Sequence, residues 1–256
     1  MCGEDHHLRL LLTFGSLENL LPKRESERGF MNQHEYFAVL TGDIIKSRLL
    51  SNNDLDAVRS SLLNAVDVVK GWKRGLVKGK PEFFRGDAWQ LLLRNPALAL
   101  RSGVFLRASL LADGKADSRI SIGLGKVENI SPRRVSLSTG EAFLISGRGL
   151  DGMTQYSNIT IGVPKSAGPL REWLPVVGHL CDSLIGQWTK RQAEIVCVAV
   201  NPKELTHEEI GQTLNPKVAR QNVTEILQRA SWYVIREAIH RFEETAWESV
   251  LESKRE

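Results

Sequence analysis

Apolar residues first gather at Tyr36, Phe37, Val39 and Leu40, and Gly42 closes the run, which predicts a buried strand over 36–42. The period then changes. In NNDLDAVRSSLLNAVDVVKGW, residues Leu55, Val58, Leu62, Ala65, Val66 and Val69 recur at helical spacing, with Asn53 or Asp54 as the cap. PEFFRGDAWQLLLR reads as two short strands about a Gly86-Asp87 turn. Pro96 suits a first helical position and opens a helix through PALALRSGVFLRASLLA. Ile120, Ile122 and Leu124 alternate in SRISIGLGKVE, the period of a half-buried strand. TGEAFLISGRGLDG predicts a short helix, and SNITIGVP a further strand.

Taken in order, residues 36–163 give β-α-β-β-α-β with an additional helix and strand. That pattern predicts an α+β sandwich of the ferredoxin-like kind. Its two central strands would be the one ending at Asp43 and one arm of the hairpin carrying Asp87, which sets the two aspartates side by side at one sheet edge. A carboxylate between apolar runs is costly unless it is paired. A cation shared by Asp43 and Asp87 removes that cost; two solvated turn aspartates are the alternative.

From Pro169 onward the texture is helical. GPLREWLPVVGHLCDSLIGQWT predicts a helix interrupted by Pro175, and KRQAEIVCVAV a short one. LTHEEIGQTLNPKVARQNVTEILQRA has a helix-turn-helix pattern: Thr206 and Glu209 form a capping box, and Asn215-Pro216 makes the break. Ile210 and Leu214 mark the inner face of the first helix, Val218, Val223 and Leu227 that of the second. VPKSAGP, rich in Pro, Gly and Ser, predicts a boundary near 164–170. The expected organisation is a weakly ordered extension over 1–30, an α+β domain over 31–166, and an all-α domain over 167–256 with the helix-turn-helix at about 205–230. The alternative for 1–30 is a helix around Leu8–Leu21 packed on the domain.

Composition narrows the class. Of 256 residues, 42% are hydrophobic and 25% charged, which excludes a disordered chain. A net charge of +4 permits a polyanionic partner without requiring one. Three cysteines with no CxxC pair give neither a disulfide framework nor a zinc site, and fit a cytoplasmic protein. No apolar stretch approaches the roughly 18–20 residues of a membrane span, so no membrane partner is expected.

FAVLTGDII and FFRGDAWQ resemble the two metal-binding segments of class III nucleotidyl cyclase catalytic domains, and their aspartates stand 44 positions apart, at 43 and 87, as in that family. SRISIGLGKVE is similar to its R-I-G-I-x-x-G-x-V strand and TGEAFLISGR to its G-D-x-V-N-x-A-x-R helix; the likeness covers about residues 36–151. With the C-terminal helix-turn-helix, the layout from Met31 onward is similar to the SatD-like bacterial proteins. The resemblance implies Mg²⁺ (or Mn²⁺) held by Asp43, Ile44 and Asp87, phosphate contacts from Lys46 and Arg48, and a catalytic, transition-state role for Arg148. The departures weigh more. Phe83 stands where the family has its purine-recognising lysine, Leu137 where it has the purine-selecting aspartate, and Leu144 where it has the ribose-orienting asparagine. Leucine neither donates nor accepts a hydrogen bond, so the resemblance implies binding of a nucleotide or another phosphorylated small molecule over cyclisation.

In the helix-turn-helix, Lys217, Arg220, Gln221, Asn222 and Thr224 supply the basic and amide side chains that a DNA-binding recognition helix needs near its N-terminus. The alternative is an ordinary helical hairpin, and Glu208, Glu209 and Glu225 dilute the field. Trp232, Ile235, Ile239 and Phe242 form an apolar stripe that either builds a homodimer or packs on its own domain. The chain is therefore expected to be a bacterial regulator that couples Mg-nucleotide binding in a degenerate cyclase-like domain to DNA binding. The alternative is a metal-dependent phosphoryl- or nucleotidyl-transfer enzyme, a cyclase or nucleotide hydrolase.

Overall fold

The apolar run at 36–42 becomes strand β1 (Tyr36–Ile44), which sits at the centre of the sheet because almost every position along it is buried. The computed structural model describes residues 36–84, 86–131 and 134–252; the expectation for residues 1–30 lies outside the described residues. Helix α1 (Asn52–Trp72) follows, capped by Ser51, whose hydroxyl accepts from the Asp54 amide, one or two positions before the caps expected. The hairpin is β2 (Val77–Phe84) and β3 (Ala88–Leu93), and α2 (Ala99–Asp113), β4 (Ser118–Lys126), α3 (Glu141–Asp151) and β5 (Ile159–Gly162) complete the first part. Helices α4 (Leu170–Ile185), α5 (Lys190–Ala199), α6 (His207–Thr213), α7 (Arg220–Arg229), α8 (Trp232–Glu244) and α9 (Trp247–Glu252) make up the rest. The chain is an α+β protein.

The sheet order is β2-β3-β1-β4-β5. The first three pairings are antiparallel, and β5 joins β4 in parallel. Alternation then divides the side chains. Ala38, Leu40, Ile44, Trp89, Ile120 and Ile122 enter one large core with α1 and α2. Phe37, Val39 and Leu92 enter a smaller one with Ala142 of α3. By the same alternation Asp43 shares the α3 side with Arg119, its partner in register on β4, and with Ala88 on β3. Helix α3 lies close on this face because glycines leave room: a Cβ on Gly123 would fall 2.4 Å from the Ala142 carbonyl oxygen and 2.5 Å from the Ser146 nitrogen.

Helix α2 carries buried side chains all round, eleven of its 15 residues, because it has neighbours on every side: the sheet, α1, α5 and α8. Its two buried arginines hold the layers together. Arg101 donates to the Val200 carbonyl at 2.9 Å and pairs with Glu243 of α8 at 2.6 and 2.8 Å. Arg107 pairs with Asp117, just before β4, and with Asp182 of α4 at 2.6 Å. Residues on both sides of the 164–170 stretch thus share one core, and all described residues fall within one compact unit. Pro175 does not interrupt α4. It stands near the N-terminus, where its missing N–H costs only one bond, to Arg171. The stripe of α8 is buried: Trp232, Ile235, Ile239 and Phe242 join the same core. The second of the two uses expected for it, packing on its own chain, is the one it has.

Candidate functional site

Two regions carry the candidate chemistry. The first is the end of the sheet where β1 leaves and the hairpin turns. The Ile44 amide donates to the Asp87 carbonyl at 3.2 Å and the Ile45 amide to the Asp117 carbonyl at 2.9 Å. Asp43, Asp87 and Asp117 therefore converge through the backbone. Gly42 makes this possible. It faces Trp89 across the strands, and a Cβ there would meet both the indole and the Arg119 carbonyl at 2.5 Å. Trp89 in turn donates its ring N–H to Ser118 Oγ at 2.9 Å, and Ser118 donates to the Asp43 carbonyl at 2.7 Å. Arg59 of α1 pins the turn itself, donating Nε to the Gly86 carbonyl at 3.0 Å.

Both carboxylates are already engaged. Asp43 takes two hydrogen bonds from Arg119, one from Nε to Oδ1 at 2.8 Å and one from Nη2 to Oδ2. Asp87 accepts from the hydroxyl of Ser47 in the loop after β1. The hydrogen bond from Asp43 chiefly raises the Arg119 pKa; partial burial opposes it, and the charges of Asp43, Asp87 and Asp151 add to it. Three carboxylates thus act on one guanidinium. Lys46, in the left-handed region at φ 57°, and Arg48 are exposed in the same loop. Arg148 is exposed in the last turn of α3, and among the described residues no hydrogen bond or ion pair joins it to Asp43 or Asp87. Leu137 and Leu144 are 60% and 59% exposed, so neither fills the core, and both present apolar surface where the resemblance implies polar contacts.

The donor set tests the metal. Asp43, Asp87 and the Ser47 hydroxyl are hard oxygen ligands, the type that Mg²⁺ and Mn²⁺ prefer. They fit such an ion, which would displace the Arg119 or Ser47 bonds to reach the carboxylate oxygens. Among the described residues no group of three or more His, Cys, Asp or Glu gathers to hold a metal, so a cation here would rest on two carboxylates.

The second region is the three-helix unit α5–α6–α7, whose members all touch one another. Capping boxes start two of them: Thr189 with Gln192 on α5, and Thr206 with Glu209 on α6. Hydrogen bonds from the Thr206 backbone and hydroxyl lower the Glu209 pKa. Between α6 and α7, Gly211 lies under the turn: its carbonyl accepts from Val218 at 3.0 Å, and a Cβ on it would lie 2.0 Å from the Val218 oxygen. Val223 and Leu227 of α7 face inward, while Lys217, Arg220, Gln221 and Asn222 are exposed. Thr224 differs from its neighbours. Its hydroxyl donates to the Arg220 carbonyl at 3.0 Å and lies 2.7 Å from His207 Nδ1, so it serves the α6–α7 contact.

Several contributors escaped the sequence. Arg119 looked like one more outward position of an alternating strand, and only strand register shows it opposite Asp43. Arg191 and Arg229 line the same shallow depression as Lys217 and Asn222, although they lie on α5 and at the far end of α7. Compared with known proteins, the chain matches no protein-family model and no curated protein at a significant level, so its function has to be argued from this geometry.

Proposed function

We propose that the chain is a regulator that binds duplex DNA through α5–α7 and takes a metal-bound nucleotide or related phosphate at Asp43 and Asp87. One observation carries it: the buried face of α7 is fixed on α5 and α6, and the opposite face presents Lys217, Arg220, Gln221 and Asn222 around its N-terminus. A helix held this way can enter a major groove, where arginine pairs with guanine, Gln and Asn with adenine, and lysine meets phosphate. Arg191 and Arg229 widen the basic surface toward the backbone on either side.

For the other end, the β-α-β-β-α-β order with strands arranged β2-β3-β1-β4 supports a ferredoxin-like, cyclase-like assignment. The meeting of Asp43 with the Asp87 turn supports a metal there, held by Asp43 and Asp87 with Ile44 in the ligand set. Such an ion would neutralise phosphate oxygens. Leu137 and Leu144 place binding ahead of turnover, because no side chain at those positions can orient a base or ribose. The same carboxylate pair favours a second reading, a phosphoryl- or nucleotidyl-transfer enzyme. Its sign would be product formation from nucleotides with Mn²⁺ that vanishes in Asp87→Ala.

A fluorescent duplex library titrated at several salt concentrations tests the DNA assignment. Lys217→Ala and Arg220→Ala should weaken binding, and each should reduce the salt slope by about 1 where it removes a phosphate contact. Magnesium with nucleotide should change the affinity of the native chain and leave that of Asp87→Asn unaltered. Affinity indifferent to both basic substitutions would refute the assignment.

A further inference from the structure

The pairing of Arg119 with Asp43 says what kind of ligand the sheet end would accept. This step rests on the metal-site assignment above and goes beyond it, to the class of ligand and the residue that selects it. A bare divalent ion approaching Asp43 meets a carboxylate whose two oxygens are each bound by the same guanidinium. To ligate Asp43 the ion must displace at least one of those bonds, and it then leaves Arg119 beside a second positive charge. That repulsion costs affinity in a region only partly open to water.

A metal carrying a polyphosphate changes the balance. Its oxygens are anionic, and a guanidinium fork matches them in pairs. Arg119 would pass from Asp43 to a phosphate oxygen as the metal takes the carboxylate. Its side chain is 34% exposed and that of Asp43 is 19% exposed, so the guanidinium is near enough to solvent to turn outward. Ser47 makes the matching arrangement on Asp87. It belongs to the loop that also carries Lys46 and Arg48, so opening the Ser47 bond would leave a hydroxyl and two cations facing the same anion.

We propose that Arg119 is a specificity-determining residue that makes the Asp43–Asp87 site accept a divalent metal only together with a polyphosphate, as a pyrophosphate or nucleoside polyphosphate complex. The exchange moves a hydrogen-bonded cation from one anion to another, and no covalent bond changes.

The test uses the full chain, with MnCl2 and pyrophosphate as probes, read by thermal shift and isothermal titration. In the native protein Mn²⁺ alone should give no shift, and Mn²⁺ with pyrophosphate a clear one. Arg119→Ala should bind bare Mn²⁺ at least about tenfold more tightly, since one neighbouring positive charge is gone, and should lose most of the gain from pyrophosphate. Arg119→Lys should keep the need for both partners, which separates the charge from any loss of packing. If the native chain responds to the complex, Asp87→Asn abolishes the response and Arg119→Ala behaves as native, the role of Arg119 is overturned while the metal pair stands. If the native chain and Asp87→Asn respond alike, or neither responds, the metal pair falls and the role of Arg119 with it.

Discussion

Replacing Arg107 by methionine should be among the costliest single changes in the molecule. The guanidinium is fully buried and donates Nε to Asp117 Oδ1 at 2.8 Å and Nη1 to Asp182 Oδ1 at 2.6 Å, with Nη2 on the other Asp117 oxygen. Burial alone would lower its pKa, but Asp117, through hydrogen bond and charge, and then Asp182 keep it raised. Methionine fills a similar volume, so little of the loss would come from a cavity. It comes from two carboxylates left without a counter-charge, of which Asp182 has a side chain only 7% exposed. Breaking one member of a buried ion group costs about 3–5 kcal/mol. In a chain of this size that corresponds to a melting point lower by roughly 6–20 °C. Differential scanning calorimetry of Arg107→Met measures the loss. Adding Asp182→Asn should recover part of it, because the amide oxygen can still accept from the Asn158 amide, now bound at 2.7 Å, while the charge is gone. A fall below about 2 °C, or a double variant that loses the full sum of the two singles, would refute this account.

Two further outcomes concern the DNA end. Gly211→Ala sets a methyl group against the Val218 carbonyl, so α6 and α7 must part; a loss of about 1–3 kcal/mol in stability should accompany weaker DNA binding, and unchanged values of both would contradict the packing described. His207 has its pKa lowered, first by burial and then by the charges of Arg220 and Arg236. The unfolded chain therefore binds the proton more readily, and stability should fall as pH drops through the ordinary histidine range near about 6.5. His207→Asn, able to keep a contact to Thr224, should flatten that part of the pH–melting curve, and an identical slope in both proteins would exclude His207 as its source.

The sequence disclosed the elements better than their meetings. Alternation at Ile120, Ile122 and Leu124 was enough for β4, and the Thr206–Glu209 capping box was enough for the start of α6, because both signals are local. The convergence of Asp43 with the Asp87 turn was also legible, since strand-Gly-Asp recurs at both places and strand order follows from chirality and connection length. Arg119 was not. Its partner is decided by which residue of β4 lies across from Asp43, and a slip of one position would have faced it into the core instead. The Arg107 group was equally hidden. Its three members come from α2, the approach to β4, and α4, and no pattern within any one segment announces a charge that is paired at a distance. Arg148 was carried over from a motif; position in a helix turn decides where such a residue points, and here it is exposed.

Helix α2 has a bearing on how this chain could be taken apart. A fragment ending at residue 166 would keep the sheet yet strip α2 of the helices on its outer side, leaving Arg101 without Val200 or Glu243 and Ser109 without Cys197. Such a piece would expose a greasy flank and clump in the test tube. The complementary piece would carry α5 and α8 with their own oily stripes uncovered. Anyone grafting the DNA-facing helices onto another protein would have to bring a substitute for α2 along with them.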